Sequence, residues 1–295
     1  FILVGFSDLP ELHYPLLVSF YLVYVLTLIG NTVIVAVVLM NNPLHSPMYY
    51  FLCNLAFLDI CYTTTTLPKL IQLHSEQDGT ICFASCLLQQ YFYISFAVSE
   101  YFLLAAMAYD RYVAICKPLH YSVLMSRKVC VLLAKAALPW GGGFISAIPI
   151  NILISALCYC SSNRINHFFC DLTALLMLAC NDTSTVEFVI FAEGVLIVLN
   201  CFLLTVTSYG FIGFAIIRIG SSKGRFKAFS TCASHLTVVI LFYTMIACLY
   251  MKPSSSYSLS DGKFLSVFTV NVTPMLNPVI YTLRNKDIRE AVKNI

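Results

Sequence analysis

The chain is predicted to fold as an all-α membrane protein: a seven-transmembrane helix bundle with a short surface helix after the last span. Three observations predict it. Of 295 residues, 59% are hydrophobic and 11% charged, whereas soluble domains carry about 25% charged residues. Seven apolar stretches follow one another, at about 16–40, 48–72, 84–113, 129–154, 186–217, 229–250 and 264–283. Each is long enough for a helix to cross a hydrocarbon core of about 30 Å at roughly 1.5 Å per residue. A polar, amphipathic tail, 284–295, then suits a short helix lying along the membrane surface. No internal repeat is evident, so 1–295 reads as a single domain.

The net charge of +3 is small, and no run of Lys and Arg with interleaved aromatics occurs. Nucleic acid is therefore not an expected partner; the lipid bilayer is. The opening stretch, 1–11, is polar-mixed and lacks a basic leader, so no cleavable signal peptide is expected. Because the chain opens at Phe1, further residues are expected ahead of it.

An odd number of spans puts the two ends on opposite sides. The segments after spans one, three, five and seven hold Lys117, Arg127, Lys128, Arg218, Lys223, Arg225, Lys227, Arg284, Lys286, Arg289 and Lys293; the other side holds Lys69, Arg164, Lys252 and Lys263. The positive-inside rule then places the C-terminus in the cytosol and the N-terminus outside, in a multi-pass protein of the plasma membrane. Cys86, Cys160, Cys170 and Cys180 fall on the outer side, where disulfides persist. Cys82 and Cys158 lie near the same face. The loop 155–185 is long enough to be functional, and two cross-links would hold it over the mouth of the bundle, although spacing does not fix their pairing. Asn181-Asp182-Thr183 on this loop is a glycosylation sequon; Asn271-Val272-Thr273 matches the pattern but lies inside span seven.

The most informative decapeptide is Met107–Cys116, MAYDRYVAIC. It puts Asp110 and Arg111 where a membrane helix leaves the bilayer, a costly position unless shielded. From composition alone the pair reads equally as a lock or as side chains snorkelling at the interface. Two more carboxylates lie deep. Asp59 and Glu100 each sit eleven residues from the cytosolic end of a neighbouring span, counting from Met48 and Arg111, hence roughly 16 Å in. Both cannot stay charged without a partner; a shared proton, a hydrogen-bonded neutral acid or a sodium ion answers the problem. No cofactor and no other metal is expected.

Four motifs stand in order on the correct sides of these spans: Leu44–Tyr49 (LHSPMY), Met107–Tyr121, Lys227–His235 (KAFSTCASH) and Pro274–Tyr281 (PMLNPVIY). With them the chain resembles, over almost its full length, the vertebrate odorant (olfactory) receptors, a branch of the rhodopsin-like G-protein-coupled receptors. The resemblance implies a receptor and not an enzyme. It would bind a small, mostly apolar odorant and activate a heterotrimeric G protein of the stimulatory, olfactory type, raising cAMP. Asp110 would restrain Arg111 at rest, beside Tyr112. Arg111 would turn toward the G protein on activation, with Tyr209 and Tyr281 swinging in to hold the open state. His235, some 12 Å inside span six, could accept from Arg111 or Tyr209, or be a satisfied core histidine. Asn277 and Pro278 belong to the motif of span seven.

The same resemblance places the ligand in the outer half of the bundle. Tyr93, Ile94, Ala97 and Val98 line it from span three, Glu193 and Ile197 from span five, Tyr243, Ile246 and Tyr250 from span six, and Val267 from span seven. Glu193 is either a partner for an amine or hydroxyl or a group facing loop water. The disulfides would be Cys86–Cys170 and Cys160–Cys180, leaving Cys82 and Cys158 as free thiols or a third bridge. Two departures from the wider rhodopsin-like pattern stand out. Span six reads Phe242-Tyr243-Thr244 with no proline before Pro253, and the single tryptophan, Trp140, is in span four. Tyr243 would then serve as the switch beneath the ligand.

Other classes fare worse. A retinal-type pump needs a lysine inside the last span, and 264–283 has none. A transporter would show two related halves, and no two histidines have the four-residue spacing of a helical metal site. The alternative reading is a non-olfactory rhodopsin-like receptor for a small amine or other metabolite.

Overall fold

The computed structural model describes residues 1–7, 10–76, 78–126, 129, 137–160, 162–250 and 259–293. Its helices are α1 (His13–Met40), α2 (Pro47–Glu76), α3 (Phe83–Cys116), α4 (Ala137–Ser155), α5 (Ser184–Arg218), α6 (Ser222–Tyr250), α7 (Leu259–Val267, Phe268–Val272 and Thr273–Arg284) and α8 (Lys286–Lys293). Together they form a seven-transmembrane bundle with one short terminal helix. Residues 130–136, at the start of the fourth expected span, lie outside the described residues.

Five helices, α1, α3, α4, α5 and α7, hold segments that by themselves are long and apolar enough to cross a bilayer. α6 does so when its two segments, Ser222–Ser230 and Cys232–Cys248, which meet at 48°, count as one. α2 has the length but carries Thr63–Thr66. Two of these hydroxyls are fed back into the helix: Thr63 Oγ1 donates to Asp59 O at 2.7 Å and Thr65 Oγ1 to Cys61 O at 2.9 Å. Such bonding satisfies the hydroxyls without a partner helix.

Several helices outrun the apolar stretches. α6 begins at Ser222 rather than 229, and α7 at Leu259 rather than 264. Apolarity marks what lipid covers, while the helical hydrogen-bond ladder continues through polar residues such as Lys223 and Arg225. Two π-helical turns, Gly194–Leu199 in α5 and Phe268–Val272 in α7, leave no such mark in the hydropathy pattern. Turns of this kind are frequent at functional sites.

α3 runs through the centre, against α2, α4 and α5. Its residues Tyr101, Leu103, Leu104 and Met107 join Phe51, Leu55, Val238 and Phe242 in the main core cluster. α1 is tied to α7 through Asn31, whose Nδ2 donates to Pro274 O at 3.1 Å and to Thr27 O at 3.0 Å. α8 is more than a surface helix. Asn285 Oδ1 accepts from the backbone of Asp287 and Ile288, and Ile288 is fully buried. Tyr49 Oη donates to Asp287 Oδ2 at 2.7 Å, pinning α8 to α2.

At the opposite end, the N-terminal segment is woven into the loops. Ile2–Leu3 (β1) pairs in parallel with Arg164–Ile165 (β2), and Ile2 bridges to Thr80. Gly5 takes φ +55°, and a Cβ there would strike Leu73; this is the left-handed region that glycine enters freely. The turn lets Gly5 O accept from Lys263 Nζ at 2.9 Å, with Lys263 only 3% exposed.

Candidate functional site

The penultimate turn of α3 carries the charged pair. Arg111 donates to Asp110 Oδ2 through Nη2 at 2.8 Å and Nε at 3.2 Å. Asp110 is fully buried, and the Arg111 side chain is 12% exposed. A third residue completes the arrangement. Pro118 breaks the chain after α3, and the turn Pro118–His120 leads into the single-turn helix Tyr121–Leu124. That reversal brings Tyr121 Oη to donate to Asp110 Oδ1 at 2.8 Å. Both carboxylate oxygens are thus occupied, and the hydroxyl and guanidinium offset the cost of burying the charge. The Tyr112 ring packs against Phe211 at 5.8 Å and beneath Lys117 Nζ at 5.9 Å.

Next to this pair, Tyr209 Oη lies 2.6 Å from His235 Nδ1. Of the two partners expected for His235, tyrosine is the one in contact, and His235 Nε2 has no hydrogen-bond partner among the described residues. The Tyr281 ring is 1% exposed and its hydroxyl likewise has no partner there. Pro278 packs on the Gly30 backbone, where an added Cβ would come within 3.2 Å.

At mid-depth, Asp59 and Glu100 are both buried, 1% and 6% exposed. Asn277 Nδ2 donates to Asp59 Oδ2 at 2.9 Å. The Asn277 carbonyl oxygen has no partner among the described residues, nor does any cation lie in salt-bridge range of either acid there.

The ten residues expected to line one pocket do not gather in one cluster. Tyr93 packs between Phe169 of the long loop at 4.6 Å and Tyr62 at 5.1 Å. Val267 packs against the cluster of Phe168 and Phe169, and Ala97 against Tyr62 and Val270. Ile197, Tyr243 and Ile246 pack on the main core beside Phe242. Ile94 instead packs among Ile150, Ile154 and Cys86, because its position on α3 turns it toward α4. Val98 is buried, Glu193 is half-buried without an ion-pair partner among the described residues, and the side chain of Tyr250 lies outside what is described. An open cleft of about 430 Å³ lies elsewhere, between the ends of α2 and α3, lined by Lys69, Cys82 and Phe92 among others.

A family model described as "Olfactory receptor" matches residues 20–295. The chain is 45% identical to mouse (Mus musculus) Olfactory receptor 5AR1, over 100% of this chain and 94% of that one. It is 46% identical to human (Homo sapiens) Olfactory receptor 2G3, over 100% and 95%. It is 47% identical to gorilla (Gorilla gorilla gorilla) Olfactory receptor 1E2, over 100% and 93%. The chain belongs to the olfactory receptor family. It is a multi-pass membrane receptor of the G-protein-coupled class, not an enzyme.

The receptor's long loop is held by two disulfides. Cys86–Cys170 ties α3 to the loop, and Cys160–Cys180 closes a ring within it, with Cα–Cα separations of 5.4 and 6.0 Å. Cys82 and Cys158 are free and exposed. Cys82 caps α3, and its hydrogen bonds with the Ser85 side chain and backbone hold the thiol below its ordinary pKa. Asn181 is exposed, with its Oδ1 accepting from the Cys158 amide at 3.0 Å, which leaves the Nδ2 that a glycan would take. Asn271 is fully buried and accepts from Thr66.

His167 sits at the centre of the loop, 8% exposed, its ring 4.6 Å from those of both Phe168 and Phe169. Burial, opposed by Asp171 and reinforced by Lys263, pushes its pKa from 6.5 down to about 4. Unfolding therefore lets the imidazole take up a proton between those values. Stability is whole above about pH 6.5 and falls as pH drops toward 4, by of order 3 kcal/mol. The melting point of the purified receptor is expected to be several degrees lower at pH 5 than at pH 7.4, and His167→Phe is expected to remove most of that difference. An equal drop in the variant would assign the acid sensitivity to other groups.

Sequence reasoning missed Tyr121, Lys263 and the N-terminal strand. Only Tyr121 left a trace: it follows a proline break, which permits the chain to return to α3.

Proposed function

We propose that this receptor binds a small, weakly polar odorant in the half of the bundle beneath the disulfide-held loop and activates a stimulatory, olfactory-type G protein, raising cAMP. The N-terminus would face outside and the C-terminus the cytosol, as the charge bias favours. The observation that carries the reading is the buried Asp110–Arg111–Tyr121 group at the end of α3, intact in a chain of this family. In the resting state it keeps the guanidinium folded against its own helix. G-protein engagement would need Arg111 released from Asp110, with Tyr209 and Tyr281 supporting the opened arrangement. Tyr93, Ala97 and Val267, gathered beside Phe169 and Val270, would form the ligand-facing wall nearest the loop. Tyr243, against Phe202 at 5.0 Å and Phe242 at 5.5 Å, would be the switch below it.

Asp59, Glu100 and the unpartnered Asn277 carbonyl offer hard oxygen donors at one depth. They fit a sodium ion, which such ligands suit, or a proton shared between the acids. Bound sodium would neutralise the buried charge; Asn277 orients Asp59 in either case.

The test is a cAMP assay in cells carrying the stimulatory G protein, run against a broad odorant panel, with surface expression measured alongside. A response abolished by Arg111→Ala at unchanged surface level is expected. A response that survives the substitution would overturn the coupling role. Glu193→Gln separates the alternative: loss of amine responses alone would favour a small-amine receptor.

A further inference from the structure

The π-helical turn of α7, Phe268–Val272, packs beside α2 and holds Asn271. Asn271 stands roughly two helical turns outward of Asn277, whose side chain meets Asp59. It is fully buried. The Thr66 hydroxyl donates to its Oδ1 at 3.2 Å, while its Nδ2 has no hydrogen-bond partner among the described residues. A buried donor left unmade is costly, and native folds keep few of them, so each calls for a reason. The surroundings supply one. Val267 lies four residues before Asn271, on the same side of the helix, and packs with Tyr93 against Phe168 and Phe169. Val270 packs with Tyr62, Tyr93 and Ala97. Tyr93 and Ala97 stay partly exposed although they sit against these inner clusters, so open space borders the wall that Asn271 joins.

We propose that Asn271 is the polar anchor of the odorant site, its Nδ2 donating a hydrogen bond to the carbonyl oxygen of a neutral aldehyde, ketone or ester. The assignment rests on the reading of Tyr93, Ala97 and Val267 as the ligand-facing wall. The amide nitrogen selects the class. It donates and does not accept, so the ligand atom that suits it is an acceptor with no hydrogen of its own to place. A carbonyl oxygen meets that requirement. An alcohol brings a further donor into apolar surroundings, at a cost, and a hydrocarbon offers no acceptor. Thr66 holds the other end of the amide. The turn's own polar groups do not compete for it, because Thr273 Oγ1 donates to Phe268 O at 3.3 Å, across the turn. The rest of the ligand would lie on Tyr93, Ala97, Val267 and Val270. A site with one fixed donor in an apolar wall discriminates sharply against analogues that leave the donor unpaired.

The experiment compares Asn271→Leu and Asn271→Ala with the wild-type full-length receptor in the cAMP assay, at matched surface level. The panel sets aldehydes, ketones and esters, such as octanal and methyl octanoate, against hydrocarbons such as octene and limonene. One variant keeps the bulk and the other removes it, so a fault of packing in either leaves the other to decide. Thr66 keeps an acceptor in Thr63 O at 3.4 Å, so neither change strands its hydroxyl. Both variants are expected to lower the potency of carbonyl agonists by about tenfold or more, with the maximal response kept, and that of hydrocarbons by less than about threefold. Equal losses in the two groups, undiminished carbonyl potency, or a wild type that answers only hydrocarbons would overturn the proposal. Failure of both variants to reach the surface would make the amide a structural group and overturn it too. A wild type silent to the whole panel would instead fail the odorant reading beneath it, a result distinct from each of these.

Discussion

Exchanging Asp110 for asparagine is expected to raise ligand-independent cAMP production by roughly tenfold at equal surface expression, equivalent to about 1.4 kcal/mol taken from the resting state. The carboxylate is fully buried and anchors two partners, Arg111 on one oxygen and Tyr121 on the other. Asparagine keeps the size but removes the charge. Arg111 is then left partly buried without its counter-ion, a situation that typically costs about 3–5 kcal/mol when a buried pair is broken. The figure is an upper bound here because a 12% exposed guanidinium can reach water. Any state that lets Arg111 leave the helix is favoured by the difference. Tyr121→Phe deletes one neutral donor to the same carboxylate and should raise basal signalling by a smaller factor, about two- to fivefold, in line with a single charge-assisted hydrogen bond that solvent can partly replace. The ordering of the two variants discriminates. If Tyr121→Phe equalled or exceeded Asp110→Asn, the turn at Pro118–His120, and not the ion pair, would be the restraint.

The contrast between Arg111 and Tyr121 also marks what could be read from the chain. Span number and motif order are written locally, since apolar runs and short motifs need no knowledge of distant contacts. Asp110 and Arg111 are sequence neighbours, so their pairing was legible. Tyr121 is eleven residues on, past a proline break, and its return depends on the geometry of that turn. The starts of α6 and α7 lie ahead of their apolar stretches because hydropathy reports lipid contact and not the helix itself. The N-terminal strand was invisible for a stronger reason. Its partners are Gly79, Thr80, Asn163, Ile165 and Lys263, contacts that span almost the entire chain and carry no local period. Ile94 illustrates the limit within a helix. Its four-residue spacing from Val98 says nothing of which neighbour it faces; that is decided by how α4 crosses α3, which turns Ile94 toward Ile150 and Ile154.

That crossing yields the other large expected effect. Gly143→Val is expected to reduce surface expression to below about a tenth of wild type, through failure to fold. A Cβ at Gly143 would collide with the Ser99 hydroxyl and with the backbone carbonyl of Ser95 on α3. Ser99 Oγ is itself committed, donating to Ser95 O at 2.7 Å. Small residues let membrane helices approach to backbone contact, and here the opposing atom is backbone, which cannot rotate away. Overpacking in a compliant core costs about 1–3 kcal/mol; separating two helices costs more, against a total stability of only about 5–15 kcal/mol. The two neighbouring glycines provide the controls. At Gly142 the obstacle is the Phe102 ring, 2.8 Å from an added Cβ, and a ring can shift, so Gly142→Val should show an intermediate loss. At Gly141 nothing lies within 4 Å, and Gly141→Val should express as wild type. A graded series, 141 above 142 above 143, follows only if the α3–α4 contact sets the result. Equal losses at all three positions would instead implicate the helix propensity of valine, which is the same at each.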